Sequence, residues 1–171
     1  MFRLLLVVGV LAMVGCSEGD KLDGASTDPV TAEAASTETA LLTSIDVSSV
    51  EGHDRVVFEF SNGVPGYDIR YVERPIVADG SGQEIEVAGS DVLQARFEPA
   101  LDADLTKEDA PRTYFGPARF TPNDAEVVAE LVRTGGFEAV LTWAIGMKQK
   151  APFKVSTLAD PPSVVVDFAS G

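Results

Sequence analysis

An all-β fold, a β-sandwich or partly open barrel of about eight or nine strands, is what this sequence predicts for residues 41–171. Apolar residues recur with a period of two far more often than 3.6. The stretches that do so are short and separated by turn-forming residues, and helical spacing is confined to one segment.

The strands follow in order. Residues 42–50 supply the first. In Arg55 to Phe60, the side chains of Val56, Phe58 and Phe60 share one face and Glu59 takes the other, the pattern of a half-buried strand. Asn62-Gly63 is a turn signal. Tyr67, Ile69 and Tyr71 then alternate with Asp68 and Arg70, Ile85 and Val87 with Glu84 and Glu86, and Leu93, Ala95 and Phe97 with Gln94 and Arg96. Residues 126–145 read as two strands joined at Thr134-Gly135-Gly136, since a three-residue loop with two glycines suits a hairpin. Phe137, Ala139, Leu141, Trp143 and Ile145 fall on one face of the second, which places Trp143 in the core. A short helix over residues 123–132 is the alternative there, capped by Thr121 with Pro122 in its first turn. Phe153 to Leu158 and Ser163 to Phe168 complete the set, divided by Asp160-Pro161-Pro162. Residues 101–119 have no clear period and contain Pro111 and Gly116, which predicts a long loop of the kind that often carries function.

The N-terminus has a different character. Residues 1–15 begin with Met1-Phe2-Arg3, continue as an apolar run from Leu4 to Val14 too short to span a bilayer, and end at Gly15. Residues 13–16 resemble a lipobox, in which Cys16 is acylated and becomes the new N-terminus. Cys16 is the only cysteine, so no disulfide competes for it. The expectation is a signal peptide over 1–15 and a protein held on the extracytoplasmic face of the cell membrane by lipid, palmitate included, on Cys16. Residues 16–40 are rich in Ser, Thr, Ala, Gly, Asp and Glu, with Leu22 and Val30 the only branched aliphatics, and predict a disordered acidic tether. Its typical reach would be about 27 Å.

A formal net charge of −14 excludes nucleic acid as a partner and opposes electrostatic docking on anionic lipid, because both need concentrated Lys and Arg. Catalytic chemistry is equally hard to assemble. His53 is the only histidine, and there is no nucleophile elbow or phosphate-cradling glycine loop. Asp102, Asp104, Glu108 and Asp109 cluster, but Thr113 stands where an EF-hand needs its bidentate Glu, so the cluster reads as a solvated loop. No metal, no cofactor and no catalytic residue is expected.

Several blocks taken together resemble the AMIN-like domain of actinobacterial lipoproteins and secreted proteins. They are HDRVVFEF (53–60), PGYDIRYV (65–72), DGSGQEIEVAG (79–89), TYFGPARF (113–120), GGFEAVLTWAIGM (135–147) and PFKVSTLADPPSVVVDF (152–168). One departure is Ser163, where a basic residue is expected after the proline pair. The resemblance implies a β-sandwich related to AMIN domains, modules that direct envelope proteins such as cell-wall amidases to periplasmic or peptidoglycan sites, and it implies no catalysis. The partner expected on that basis is peptidoglycan or an envelope protein. Aromatic faces stack on sugars and arginine forks hold carboxylates, so Arg70, Tyr71, Tyr114, Phe115 and Arg119 are the candidate ligand-binding residues. The alternative is a carrier or interaction module holding a small apolar ligand between its sheets, which would need an unfilled interior.

Overall fold

The computed structural model describes residues 22–50 and 52–170. The expected signal peptide and Cys16 lie outside them. Among the described residues the chain forms eleven strands and no helix: β1 Val30–Ala32, β2 Ala40–Val50, β3 His53–Ser61, β4 Gly66–Val72, β5 Asp91–Glu98, β6 Ala100–Leu101, β7 Arg119–Phe120, β8 Val128–Phe137, β9 Val140–Met147, β10 Phe153–Ala159 and β11 Pro162–Ala169. They build a six-stranded sheet in the order β1-β4-β5-β9-β8-β7 and a five-stranded sheet in the order β10-β11-β3-β2-β6. Pairing is antiparallel except between β2 and β6. Eight strands are long; β1, β6 and β7, of two or three residues, are the additions to the expected count.

The alternation read from the sequence becomes the core. Phe58, Phe60, Phe97, Trp143, Phe153 and Phe168 are fully buried with Leu42, Ile69, Leu93, Leu131, Leu141 and Ile145. Phe97 stands at the centre, its ring 4.8 Å from Phe58 and 5.3 Å from Phe60. These rings fill the space between the sheets that a carrier would need open. Burying a side chain of this size contributes about 1.5–3 kcal/mol each.

The polar residues of the first block hold the sheets in register. Asp54 is completely buried, and its carboxylate accepts hydrogen bonds from the backbone N–H groups of Glu126, Val127 and Val128 at 2.7–2.9 Å. It thereby fixes the entry into β8 from the opposite sheet. Arg55 grips Asp167 on β11 with two bonds of 2.7 and 3.0 Å, and that contact raises its pKa further above the ordinary guanidinium value. His53 Nε2 lies 3.7 Å from the same carboxylate.

Three expectations change. Residues 22–40 are not all tether: β1 pairs with β4, Val30 opposite Ile69, and Ser26 bridges Phe153 on the other sheet, so this segment straps one edge of the sandwich. Its backbone hydrogen bonds supply the ordering that its side chains lack. The β8–β9 turn is not at Thr134-Gly135-Gly136. It is the two-residue loop Glu138-Ala139, both at positive φ, as a type I′ hairpin needs. Gly135 and Gly136 lie within β8 beside a bulge, where a Cβ on Gly135 would fall 1.6 Å from the Asp79 carboxylate and one on Gly136 2.0 Å from the Arg133 guanidinium. Those glycines make room for side chains from elsewhere. Ile85 and Val87 form no strand. Their segment folds over the outside of the six-stranded sheet, joined by one bridge between Val77 and Glu84, and buries a second small cluster with Ile76, Val92, Val132 and Ala144. Of the two readings of residues 123–132 the strand is the one found, from Val128 onward; residues 123–127 before it are irregular, with Asp54 taking the Glu126 and Val127 amides.

Candidate functional site

The long loop between β6 and β7 carries the most accessible chemistry, and Tyr114 organises it. Tyr114 is buried, with its ring edge-on to Trp143 at 5.6 Å and its hydroxyl donating to the Pro117 carbonyl at 3.1 Å. Burial, with the charge of Asp46 adding to it, holds its phenol above the ordinary tyrosine range. Thr113 pins the loop to the other sheet through a 2.8 Å bond from its hydroxyl to the Leu42 carbonyl. Gly116 is required because the Tyr114 hydroxyl would lie 2.3 Å from any Cβ there. With Tyr114 turned in, Phe115 turns out and stands 82% exposed.

Two clefts flank this loop and share Tyr114 and Gly116 as walls. One is an apolar groove of about 310 Å³ bounded by Phe115, Phe120, Ile45 and Pro117. The other, about 290 Å³, is lined by Arg112, Arg133, Asp102 and Ala118. Arg133 is forked onto Asp102, with Nε 2.9 Å and Nη2 3.1 Å from its two carboxylate oxygens. Arg112 is exposed and makes no ion pair among the described residues. An exposed aromatic face suits a sugar ring, and an open guanidinium suits a carboxylate; the loop carries one in each cleft.

The five expected residues are not brought to one place. Arg70 and Tyr71 lie on β4, separated from β7 by three strands of the same sheet. Arg70 is paired with Asp68 on its own strand, which raises its pKa. The Tyr71 hydroxyl donates to the Ala151 carbonyl at 2.8 Å and accepts from the Ala151 amide at 3.0 Å, while burial raises its pKa. Arg119 bonds the Glu130 carboxylate and the Glu86 carbonyl, both at 2.7 Å, and so clamps the loop over the outer cluster. Phe115 alone presents its side chain to solvent without an internal partner. Arg112 and Arg133 were not among the expected residues. The signal for Arg112 was a scarce cation immediately before the TYFG block in a chain with only 13 Lys and Arg; Arg133, inside a strand, had none.

Elsewhere, Ser163 is buried and donates to the Pro161 carbonyl at 2.9 Å, so it serves the turn before β11. In the acidic loop, Asp104 accepts hydrogen bonds from Thr106 and pairs with Lys107 at 3.1 Å, which lowers its pKa. Among the described residues no group of three His, Cys, Asp or Glu side chains is placed to hold a metal ion.

A family model, the AMIN-like domain, matches residues 40–170. No curated protein and no solved structure shows significant similarity to the chain.

Proposed function

The chain belongs to the AMIN-like domain family, and from that premise we propose that it is a non-catalytic module that binds a component of the cell envelope, peptidoglycan before others. It is held at the extracytoplasmic face of the membrane by lipid on Cys16. The observation that carries the binding reading is Phe115, exposed on a loop that is otherwise anchored at Thr113 and Tyr114. A rigidly mounted apolar ring facing water gives up little entropy when it stacks on a sugar. Arg112, in the second cleft of the same loop, meets the carboxylates of a stem peptide. The anchor reading rests on the lipobox-like residues 13–16.

The test is co-sedimentation of the full-length chain, purified in a mild nonionic detergent, with insoluble peptidoglycan. The wild type is expected to pellet at low and moderate salt, since stacking is not screened. Phe115→Ala is expected to weaken binding about tenfold, equivalent to about 1.4 kcal/mol, and to leave the melting temperature nearly unchanged because the side chain is 82% exposed. Arg112→Ala is expected to weaken binding and to reduce its salt dependence. A wild type that stays in the supernatant, or a Phe115→Ala chain that pellets equally, overturns the reading. The anchor is tested separately: Cys16→Ser is expected to move the chain from the detergent-rich to the aqueous phase of a two-phase partition, and unchanged partition removes the lipid.

A further inference from the structure

Four strands end the two sheets, and three of them are too short to template another chain. β1 has three residues, and β6 and β7 have two each. β10 is different. It has seven residues from Phe153 to Ala159, pairs with β11 without a bulge, contains no proline and carries one charge, Lys154. Long, regular, weakly charged edges are what native sheets otherwise avoid.

The direction of its backbone groups is fixed by the strap. Ser26 exchanges both hydrogen bonds with Phe153, at 3.1 and 2.8 Å, so the polar groups of Phe153 face the edge. Alternation then points the N–H and C=O of Val155, Thr157 and Ala159 the same way, while Lys154, Ser156 and Leu158 bond β11. Beyond Ser26 the strap turns, the Ala25 amide closing on the Leu22 carbonyl, and its Asp23 carbonyl accepts one hydrogen bond from the Lys154 ammonium at 3.1 Å, which leaves two of the ammonium's three donors open. The outward groups of Val155, Thr157 and Ala159 have no partner among the described residues.

We propose that this edge binds a second copy of itself, β10 against β10, antiparallel about a two-fold axis at Thr157. Only one register pairs every open group. With Thr157 opposite Thr157, Val155 faces Ala159 of the other copy, and the reciprocal pair completes the ladder. A shift of two residues one way places Ala159 against Phe153, which Ser26 already occupies, and the other way places Val155 against Pro161, which has no N–H to give. The same register sets Lys154 opposite Asp160 at both ends, so opposite charges meet across the contact. It also lays Ser156 of one copy against Leu158, which is 49% exposed in the single chain. The formal charge of −14 on each copy opposes association elsewhere on the surface, so the locally balanced edge is where the copies meet. The two five-stranded sheets then become one continuous sheet. This inference does not depend on the ligand of the Phe115 loop.

Cysteine cross-linking of the full-length chain in its own membranes tests it. Thr157→Cys places two Cα atoms about 5.5 Å apart, within the range of about 4.4–6.8 Å that a disulfide bridges. On oxidation it is expected to give a species of twice the chain mass at least fivefold above wild type and above the exposed-loop control Leu105→Cys. Val155→Cys alone, with its copies about 13 Å apart along the strand, is expected to stay at the control level, and co-expression with Ala159→Cys is expected to restore the dimer. Lys154→Glu should lower the yield of the Thr157→Cys dimer severalfold, and adding Asp160→Lys in the same chain should recover it. Cross-linking of Thr157→Cys no better than Leu105→Cys, a product of any mass other than two chains, or a charge swap without effect overturns the proposal.

Discussion

Replacing Asp54 with alanine is expected to destabilise the fold by about 3–5 kcal/mol, because three N–H groups, two of them in buried bonds, lose one shared acceptor. Glu126, Val127 and Val128 all donate to this carboxylate, and the Val127 and Val128 bonds are buried. No water reaches them when the carboxylate goes. For a domain of this size the loss corresponds to a fall in melting temperature of about 10–20 °C. Asp54→Asn is expected to do little better, since the amide keeps one oxygen but turns an NH2 toward N–H donors. Chemical denaturation of the three proteins checks this. A cost below about 1 kcal/mol for Asp54→Ala would mean that the entry into β8 is held by packing alone.

The second large effect is expected at Trp143, where stability and the candidate site meet. Its side chain is fully buried on β9 and supports the Tyr114 ring at 5.6 Å. Truncation to alanine removes the largest buried side chain, at a cost of about 3–5 kcal/mol. It also withdraws the surface that holds Tyr114 inward, so Phe115 loses its mounting and binding falls together with stability. Trp143→Phe separates the two. The indole N–H has no hydrogen-bond acceptor among the described residues, so its removal leaves nothing unpaired, and the smaller cavity is expected to cost about 1–2 kcal/mol. With Tyr114 still supported, peptidoglycan binding is expected to survive in Trp143→Phe and to be lost in Trp143→Ala. Equal binding by both variants would show that Tyr114 holds its position without the indole.

These two residues also mark how far the sequence could be read. Trp143 lay on the apolar side of an alternating stretch and was placed in the core from that position. Asp54 is a carboxylate in a polar tripeptide before a strand, and nothing local distinguishes a buried acceptor from a solvated acid. Its role exists only because β3 and the entry to β8 meet across more than 70 residues of chain.

The same division runs through the candidate site. The long loop and its aromatic pair were legible, since aperiodicity and Gly116 announce an irregular segment. Which ring turns in was not, because Tyr114 and Phe115 are adjacent and either could have packed on Trp143. Arg119 looked like a ligand-binding cation and is instead held by Glu130 and Glu86, whereas Arg112, one residue before the block, is the open one. Pairing of this kind joins residues distant in sequence, so composition and spacing do not reveal it.

By itself, the sequence determined the β class, eight of the nine strands read from it and most of the residues that fill the core. Period-two burial is a local property of the chain, written in which residues alternate. The tertiary structure alone decided that part of the acidic N-terminal segment is a strap, that Gly135 and Gly136 make room instead of turning the chain, and that β10 is left as the one long open edge. Each of these depends on what a distant segment places alongside, and that is fixed only when the two sheets close on one another.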